Sequence, residues 1–258
     1  MNKIIIKKPI NYEDLIAQSR LIASYPRSGN TWTLFLIKDI LAKANEELKN
    51  TGHETIIGTD IHDIHATKNL DEKIQSKSFS GILKTHYIDD SLNNRILYVF
   101  RKAIDILPSY FRFHKYSGYE NYDKPYSFKM TNVFLKELIS HWSTAMKMHS
   151  KSPSQIFFLP YELLHESPFT CLVKCCRFFE IDPVSDANIH KSIDTNAFES
   201  MKQSRSVFSE KRNNEVFMVS GKVGSGKKEF GPLLKAWVEI NSFYLYNKMY
   251  RIASNNMR

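Results

Sequence analysis

Short apolar runs alternate with longer amphipathic stretches along this chain. Leu21 to Pro26 reads as a buried strand that stops at a turn. Leu34, Phe35, Ile37, Ile40 and Leu41 then recur at helical spacing and predict a helix from about Asn30 to Lys49. Gly81 to His86 is a short strand, and Arg95 to Phe100 is a stronger one. A helix near Ile104 to Tyr116 follows, with Pro108 expected within its first turn or so, where proline costs least. Helical spacing returns in Val133 to His149, Gln155 to Pro160 is another buried strand, and Phe169 to Phe179 and Leu233 to Arg251 are helical. Strands alternating with helices predict an α/β fold, a central parallel sheet flanked by helices. Such sheets bind ligands at the carboxyl ends of their strands, so the chemistry is expected just after each strand. No repeat or low-complexity linker divides the 258 residues, which predicts one domain over 1–258.

Charge narrows the partner. The net charge is +9, which suits an anion: nucleic acid, a membrane surface or a phosphorylated ligand. The basic residues are dispersed, without the run that marks a nucleic-acid arm, and no nucleic-acid motif is present. The apolar run near Met1 is too short for a signal peptide, and no stretch reaches membrane-spanning length. Cys171, Cys175 and Cys176 fall in one apolar helical segment and read as buried, reduced residues, in keeping with a cytoplasmic protein. No membrane and no nucleic-acid partner is expected.

The segment Tyr25-Pro-Arg-Ser-Gly-Asn-Thr-Trp32 lies between a strand and a helix. The backbone amides of Ser28, Gly29, Asn30 and Thr31 would open the helix and cradle an anion, with Arg27 adding a fixed charge. Gly29 would let the backbone approach a phosphate closely. A plain serine-capped turn would look similar. The residues do not match a Walker loop. They closely resemble the 5′-phosphosulfate loop of the sulfotransferases that use 3′-phosphoadenosine 5′-phosphosulfate (PAPS), whose usual form is Tyr-Pro-Lys-Ser-Gly-Thr-Thr-Trp. Arg27 stands at the lysine position.

The resemblance continues in the family's order. Lys84-Thr-His86 looks like its Lys-Thr-His segment, which makes His86 the general base. Arg101 and Ser109 match the arginine and serine that bind the 3′-phosphate. Tyr161-Glu162 resembles the pair whose tyrosine touches adenine, and Phe198 resembles the adenine-contacting phenylalanine, with Asn196 where the family has threonine. Trp32 completes the aromatic set. Gly221, Gly224, Lys227 and Phe230 match the family's last glycine segment, but Val219 and Ser220 replace its Arg-Lys pair, and Lys222 is the expected substitute. Gly221 to Lys227 also imitates a Walker loop, with Lys228 where Ser or Thr must hold magnesium.

The resemblance spans about Leu21 to Phe230 and implies a P-loop-like fold, PAPS as co-substrate and adenosine 3′,5′-bisphosphate (PAP) as product. It implies in-line transfer to a hydroxyl or amine of a small-molecule acceptor. His86 would take the proton, Arg27 would meet charge on the leaving phosphate, and Lys84 would hold the sulfuryl group. No metal is expected; His62 and His65 read as surface or acceptor-loop residues. The tyrosine-rich stretch Phe113 to Tyr126 is expected over the acceptor and does not choose between a phenol, a natural product and a sugar. A nucleotide-dependent kinase and a carbohydrate sulfotransferase stand as alternatives. Oligomeric state is left open.

Overall fold

The computed structural model describes residues 19–50, 59–64, 67, 70–76, 79–90, 92–116, 127–182, 184–197, 200 and 221–257. Five strands, β1 (Arg20–Ala23), β2 (Asp60–Asp63), β3 (Phe79–Thr85), β4 (Ile96–Phe100) and β5 (Ile156–Pro160), form one parallel sheet in the order β2-β3-β1-β4-β5. The helices are α1 (Asn30–Asn50), α2 (Leu70–Ile74), α3 (Ala103–Tyr116), α4 (Phe128–Lys151), α5 (Tyr161–Glu166), α6 (Pro168–Phe179), α7 (Asp186–Thr195) and α8 (Pro232–Met257). The expected α/β architecture is present.

Every residue of β4 and β5 is buried, as the apolar runs require of strands covered on both faces. Alternation along the strands sorts them into two cores. Leu21, Ala23, Ile96, Tyr98, Phe100 and Phe158 pack with Trp142 of α4 and Tyr246 and Met249 of α8. Ile22, Leu97, Val99, Phe157 and Leu159 pack on the other side with Leu36 and Ile40 of α1 and Cys175 and Phe179 of α6. The three cysteines are free and buried, and burial pushes the Cys171 and Cys176 thiols up to about 12. No helix among the described residues is long and apolar enough to cross a membrane.

Two expectations are corrected. Asp60–Asp63 is a strand, and His62 belongs to it, stacked on Phe79 at 5.9 Å rather than lying in a loop. An edge strand pairs on one side only, so it tolerates the polar sequence Asp-Ile-His-Asp, which carries no apolar run to announce it. His65 lies outside the described residues. Pro108 is the sixth residue of α3, beyond its first turn. It has no N–H for the carbonyl of Ile104, four residues earlier, and Gly226 packs closely against that carbonyl.

The chain leaves β1 toward β2 on one side of the sheet and leaves β4 toward β5 on the other. The crevice between such strands is where an open parallel sheet binds its ligand.

Candidate active site

Just past β1 the backbone turns sharply. Arg27 (φ 71°) and Gly29 (φ 103°) are both left-handed, which glycine adopts freely and arginine does not. The turn delivers Ser28, Gly29, Asn30 and Thr31 to the start of α1, where the first N–H groups have no intrahelical acceptor. Ser28 is buried, and its hydroxyl has no hydrogen-bond partner. Asn30 acts differently. Its Nδ2 donates to the carbonyl of Thr85 at 3.3 Å and pins the loop to the end of β3. Gly29 has a second requirement besides its φ. A Cβ there would stand 2.3 Å from the ring of Tyr161, so its bare face meets an aromatic ring as well as a prospective phosphate.

Tyr161 follows β5 and ties the site together. Its hydroxyl donates to the carbonyl of Gly221 at 2.5 Å. The Arg101 guanidinium lies 4.3 Å above its ring, and Trp32 meets it edge-on at 5.7 Å. Trp32 donates through Nε1 to the carbonyl of Asn196 at 2.9 Å. Neighbouring Glu162 is structural. It accepts from the Lys102 amide at 2.9 Å and from the Tyr246 hydroxyl at 2.8 Å.

Arg101 follows β4. It is buried, donates from Nη2 to the carbonyl of Lys222 at 2.9 Å, and stands 3.7 Å from Asp105. Arg101 stands just ahead of α3, and Asp105, Ser109 and Arg112 follow at spacings of four, four and three residues, which places the last three along one face of that helix, the face that starts beside Arg101. The Ser109 hydroxyl accepts from Nε of Arg27 at 2.9 Å. Arg112 pairs with Glu229. The Nε groups of Arg101 and Arg112 are buried with no hydrogen-bond partner. Burial, then the charges of Arg112 and Arg101, lower the pKa of Arg27 to about 10. Positive charge crowded around unsatisfied donors is the signature of an anion site. Asp105 and Arg112 were not among the sequence candidates; their helical spacing with Arg101 and Ser109 was the available signal.

The segment Gly221–Phe230 docks on α3. The amides of Gly224 and Gly226 donate to the two oxygens of Asp105, each at 2.8 Å. A Cβ on Gly226 would lie 1.9 Å from the carbonyl oxygen of Ile104, the group that Pro108 leaves without its helical donor. The side chains of Lys222, Lys227 and Lys228 are exposed. These two amides of the Walker-like segment are therefore engaged by a protein carboxylate. Lys222 enters the contacts here through its carbonyl, not through the ammonium expected to replace the missing pair. Val219, Ser220 and Phe198 lie outside the described residues.

His86 follows β3. Its Nδ1 donates to the carbonyl of Ser24 at 2.9 Å, because a carbonyl can only accept, and the basic lone pair is therefore on Nε2. Lys84 is half-buried in β3, in register with Ile22 of β1. Read across the sheet, the strand ends present His86, Arg27, Arg101 and Tyr161 in that order. Neighbouring strands lie about 4.8 Å apart, so the row is about 14 Å long. Among the described residues no group of three or more His, Cys, Asp or Glu side chains could hold a metal ion.

A family model described as the sulfotransferase domain matches residues 18–249. The chain is 26% identical over 198 residues to dog sulfotransferase 1B1, covering 70% of this chain and 65% of that protein. It is 27% identical over 199 residues to rat sulfotransferase 1E1, with coverage of 70% and 65%. It therefore spans a little under two thirds of the length of these relatives. Cytosolic sulfotransferase 16 of Arabidopsis thaliana is 23% identical over 251 residues, 85% of this chain and 73% of that one. The fold is shared with the crystal structure of mouse sulfotransferase SULT7A1 complexed with PAP, at a TM-score of 0.65 and 18% identity, covering 95% of this chain and 91% of that one. It is shared also with retinol dehydratase in complex with retinol and PAP, at a TM-score of 0.58 and 17% identity, covering 89% and 81%.

Proposed function

Since the chain belongs to the sulfotransferase family, we propose that it transfers a sulfuryl group from PAPS to a hydroxyl or amine of a small-molecule acceptor, in the cytoplasm and with no metal. The observation that carries this reading is the row of strand ends, base at one side, arginines in the middle, aromatic rings at the other. The two solved relatives described above are complexes with PAP, and one is a complex with retinol as well, which supports a nucleotide and a small acceptor here.

The residues present fit the phosphates of the donor. The Ser28 hydroxyl and the Nε groups of Arg101 and Arg112 are buried donors without a partner. The Ser28 hydroxyl, the amides of Gly29, Asn30 and Thr31 and the Arg27 guanidinium would hold the 5′ end, Arg101, Ser109 and Arg112 the 3′-phosphate, and Trp32, Tyr161 and Phe198 the base, the Ser28 amide being already engaged by the Tyr25 carbonyl at 3.3 Å. Gly221, Lys222 and Gly224 would close the nucleotide side. Bound PAPS supplies the sulfuryl group and a phosphate that departs with the S–O electron pair. His86 accepts the acceptor's proton at Nε2 as the acceptor atom bonds to sulfur. Arg27 and Lys84 meet the negative charge that builds on the departing and transferring oxygens. Alignment by the row supplies much of the acceleration.

The kinase alternative loses its ground because Asp105 engages the Gly224 and Gly226 amides that a Walker loop would offer to phosphate. His86→Ala should abolish transfer from labelled PAPS while leaving the PAP dissociation constant within about twofold in calorimetry. Retained turnover would remove His86 as the base. Equal affinity for PAP and ATP would remove the nucleotide assignment.

A further inference from the structure

A second histidine stands behind the first. His141, on α4, is half-buried between Tyr25, which meets it edge-on at 5.8 Å, and Tyr98 of β4, stacked at 5.6 Å. Its Nε2 lies 3.0 Å from the backbone carbonyl of His86. Its Nδ1 lies 2.5 Å from the Tyr98 hydroxyl. A carbonyl accepts only, so Nε2 carries the proton. Nδ1 is then the acceptor, and the Tyr98 hydroxyl donates to it. Burial lowers the His141 pKa to about 4, which keeps the ring neutral at physiological pH, and the two hydrogen bonds select this tautomer.

We infer that His141 is a positioning residue for proton abstraction, acting through the main chain of His86; this rests on the reading of His86 as the base. His86 is the first residue beyond β3, where the ladder of sheet hydrogen bonds has ended. Two anchors replace that ladder. The ring is fixed from the front by Nδ1 on the Ser24 carbonyl, at the end of β1. The backbone is fixed from behind by His141, which is held in turn by Tyr98 in the central strand β4. The imidazole is thus tied to the ends of β1 and to β4, the strands whose following loops carry Arg27 and Arg101. A base placed this way keeps its Nε2 at a set distance from the arginine row, and small errors in that distance cost rate steeply. Sequence reasoning missed His141 because it lies 55 residues from His86, on the face of a helix with no motif around it.

The test separates positioning from mere packing. His141→Phe keeps an aromatic ring and removes both hydrogen bonds; His141→Gln keeps an N–H that reaches the His86 carbonyl. We expect His141→Phe to lower kcat at least tenfold, with KM for PAPS and the dissociation constant for PAP within twofold of wild type. His141→Gln should recover kcat to within about threefold. Wild-type kcat in His141→Phe, an equal loss in the Gln variant, or a parallel loss of PAP affinity overturns the inference. If His141→Phe does not fold, Tyr98→Phe carries the test. It cuts the hydrogen bond that ties the His141 ring to β4 and should lower kcat several-fold with PAP binding intact, and an unchanged kcat overturns the proposal. His86→Ala runs alongside. If it turns over, the base reading fails; if it is inactive while His141→Phe is unaffected, only the positioning role fails.

Discussion

The two ends of the row are built on opposite principles. At the phosphate side the structure leaves donors open: the Ser28 hydroxyl and the Nε groups of Arg101 and Arg112 are buried and unpartnered, and the pKa of Arg27 is lowered by burial first and then by Arg112 and Arg101. At the base side the polar groups are engaged by the chain. Ser24, His86, His141 and Tyr98 form one connected series, and Tyr25 donates to Glu137 at 3.3 Å. An open donor in a buried site is costly until an anion meets it, so the phosphate side is stabilised by its ligand. A closed network gains nothing from a ligand and holds its geometry without one. Binding strength and chemical alignment thus reside in separate parts of the same crevice.

Breaking the phosphate side at its one deeply buried carboxylate should give the largest effect. Asp105→Asn sets an amide N–H against a backbone N–H and removes the counter-charge of Arg101. We expect a loss of about 3–5 kcal/mol, read as a fall in the denaturation midpoint at unchanged slope. An unchanged midpoint would show that the glycine segment docks without Asp105.

Acid should break the base side. His141 has a folded pKa of about 4 against an ordinary 6.5, so the unfolded chain binds its proton more readily. Stability from this group is complete above pH 6.5 and declines as pH falls through 6.5 toward 4. The loss approaches about 3 kcal/mol at 1.36 kcal/mol per unit. His141→Phe should flatten that part of the acid limb, and a superimposable limb in the variant would contradict the neutral assignment.

The smallest effect sharpens the contrast. Arg112→Gln should weaken PAP about tenfold, the 1.4 kcal/mol of one charge-assisted bond, and leave adenosine 5′-phosphate nearly unaffected. Folding stability in the absence of ligand should change by less than about 1 kcal/mol, because the lost ion pair with Glu229 and the relieved repulsion on Arg27 oppose each other. Equal weakening of both nucleotides would move Arg112 away from the 3′-phosphate.

The sheet was legible because β1, β4 and β5 are unbroken apolar runs. The phosphate loop was legible because its chemistry is local: a turn, a glycine, an arginine and a helix start lie within Tyr25–Trp32. The polar edge strand β2 was not legible, nor was α7, whose Ser185 cap accepts from the Asn188 amide at 3.3 Å but precedes a weakly apolar stretch. The glycine segment was half legible. Its residues were recognised, but its partner Asp105 lies more than a hundred positions earlier. Pro108 looked like a tolerated helix-start proline. The close approach of Gly226 to the Ile104 carbonyl, which Pro108 leaves without its helical donor, is announced by no local pattern.

The distance between those partners sets an order in time. Asp105 and Gly226 are 121 residues apart in the chain, so during synthesis the carboxylate exists long before the amides that engage it. At about 5–20 residues per second, the ribosome takes roughly 6–24 s to cover that interval. Through that window a nascent chain can assemble β1, β3 and β4 and carry Arg101 beside Asp105, yet it lacks the segment that closes the nucleotide side. On the proposed function, nucleotide capture is therefore among the last properties the growing polypeptide acquires, and a chain released before the glycine segment emerges would carry the sheet without that segment.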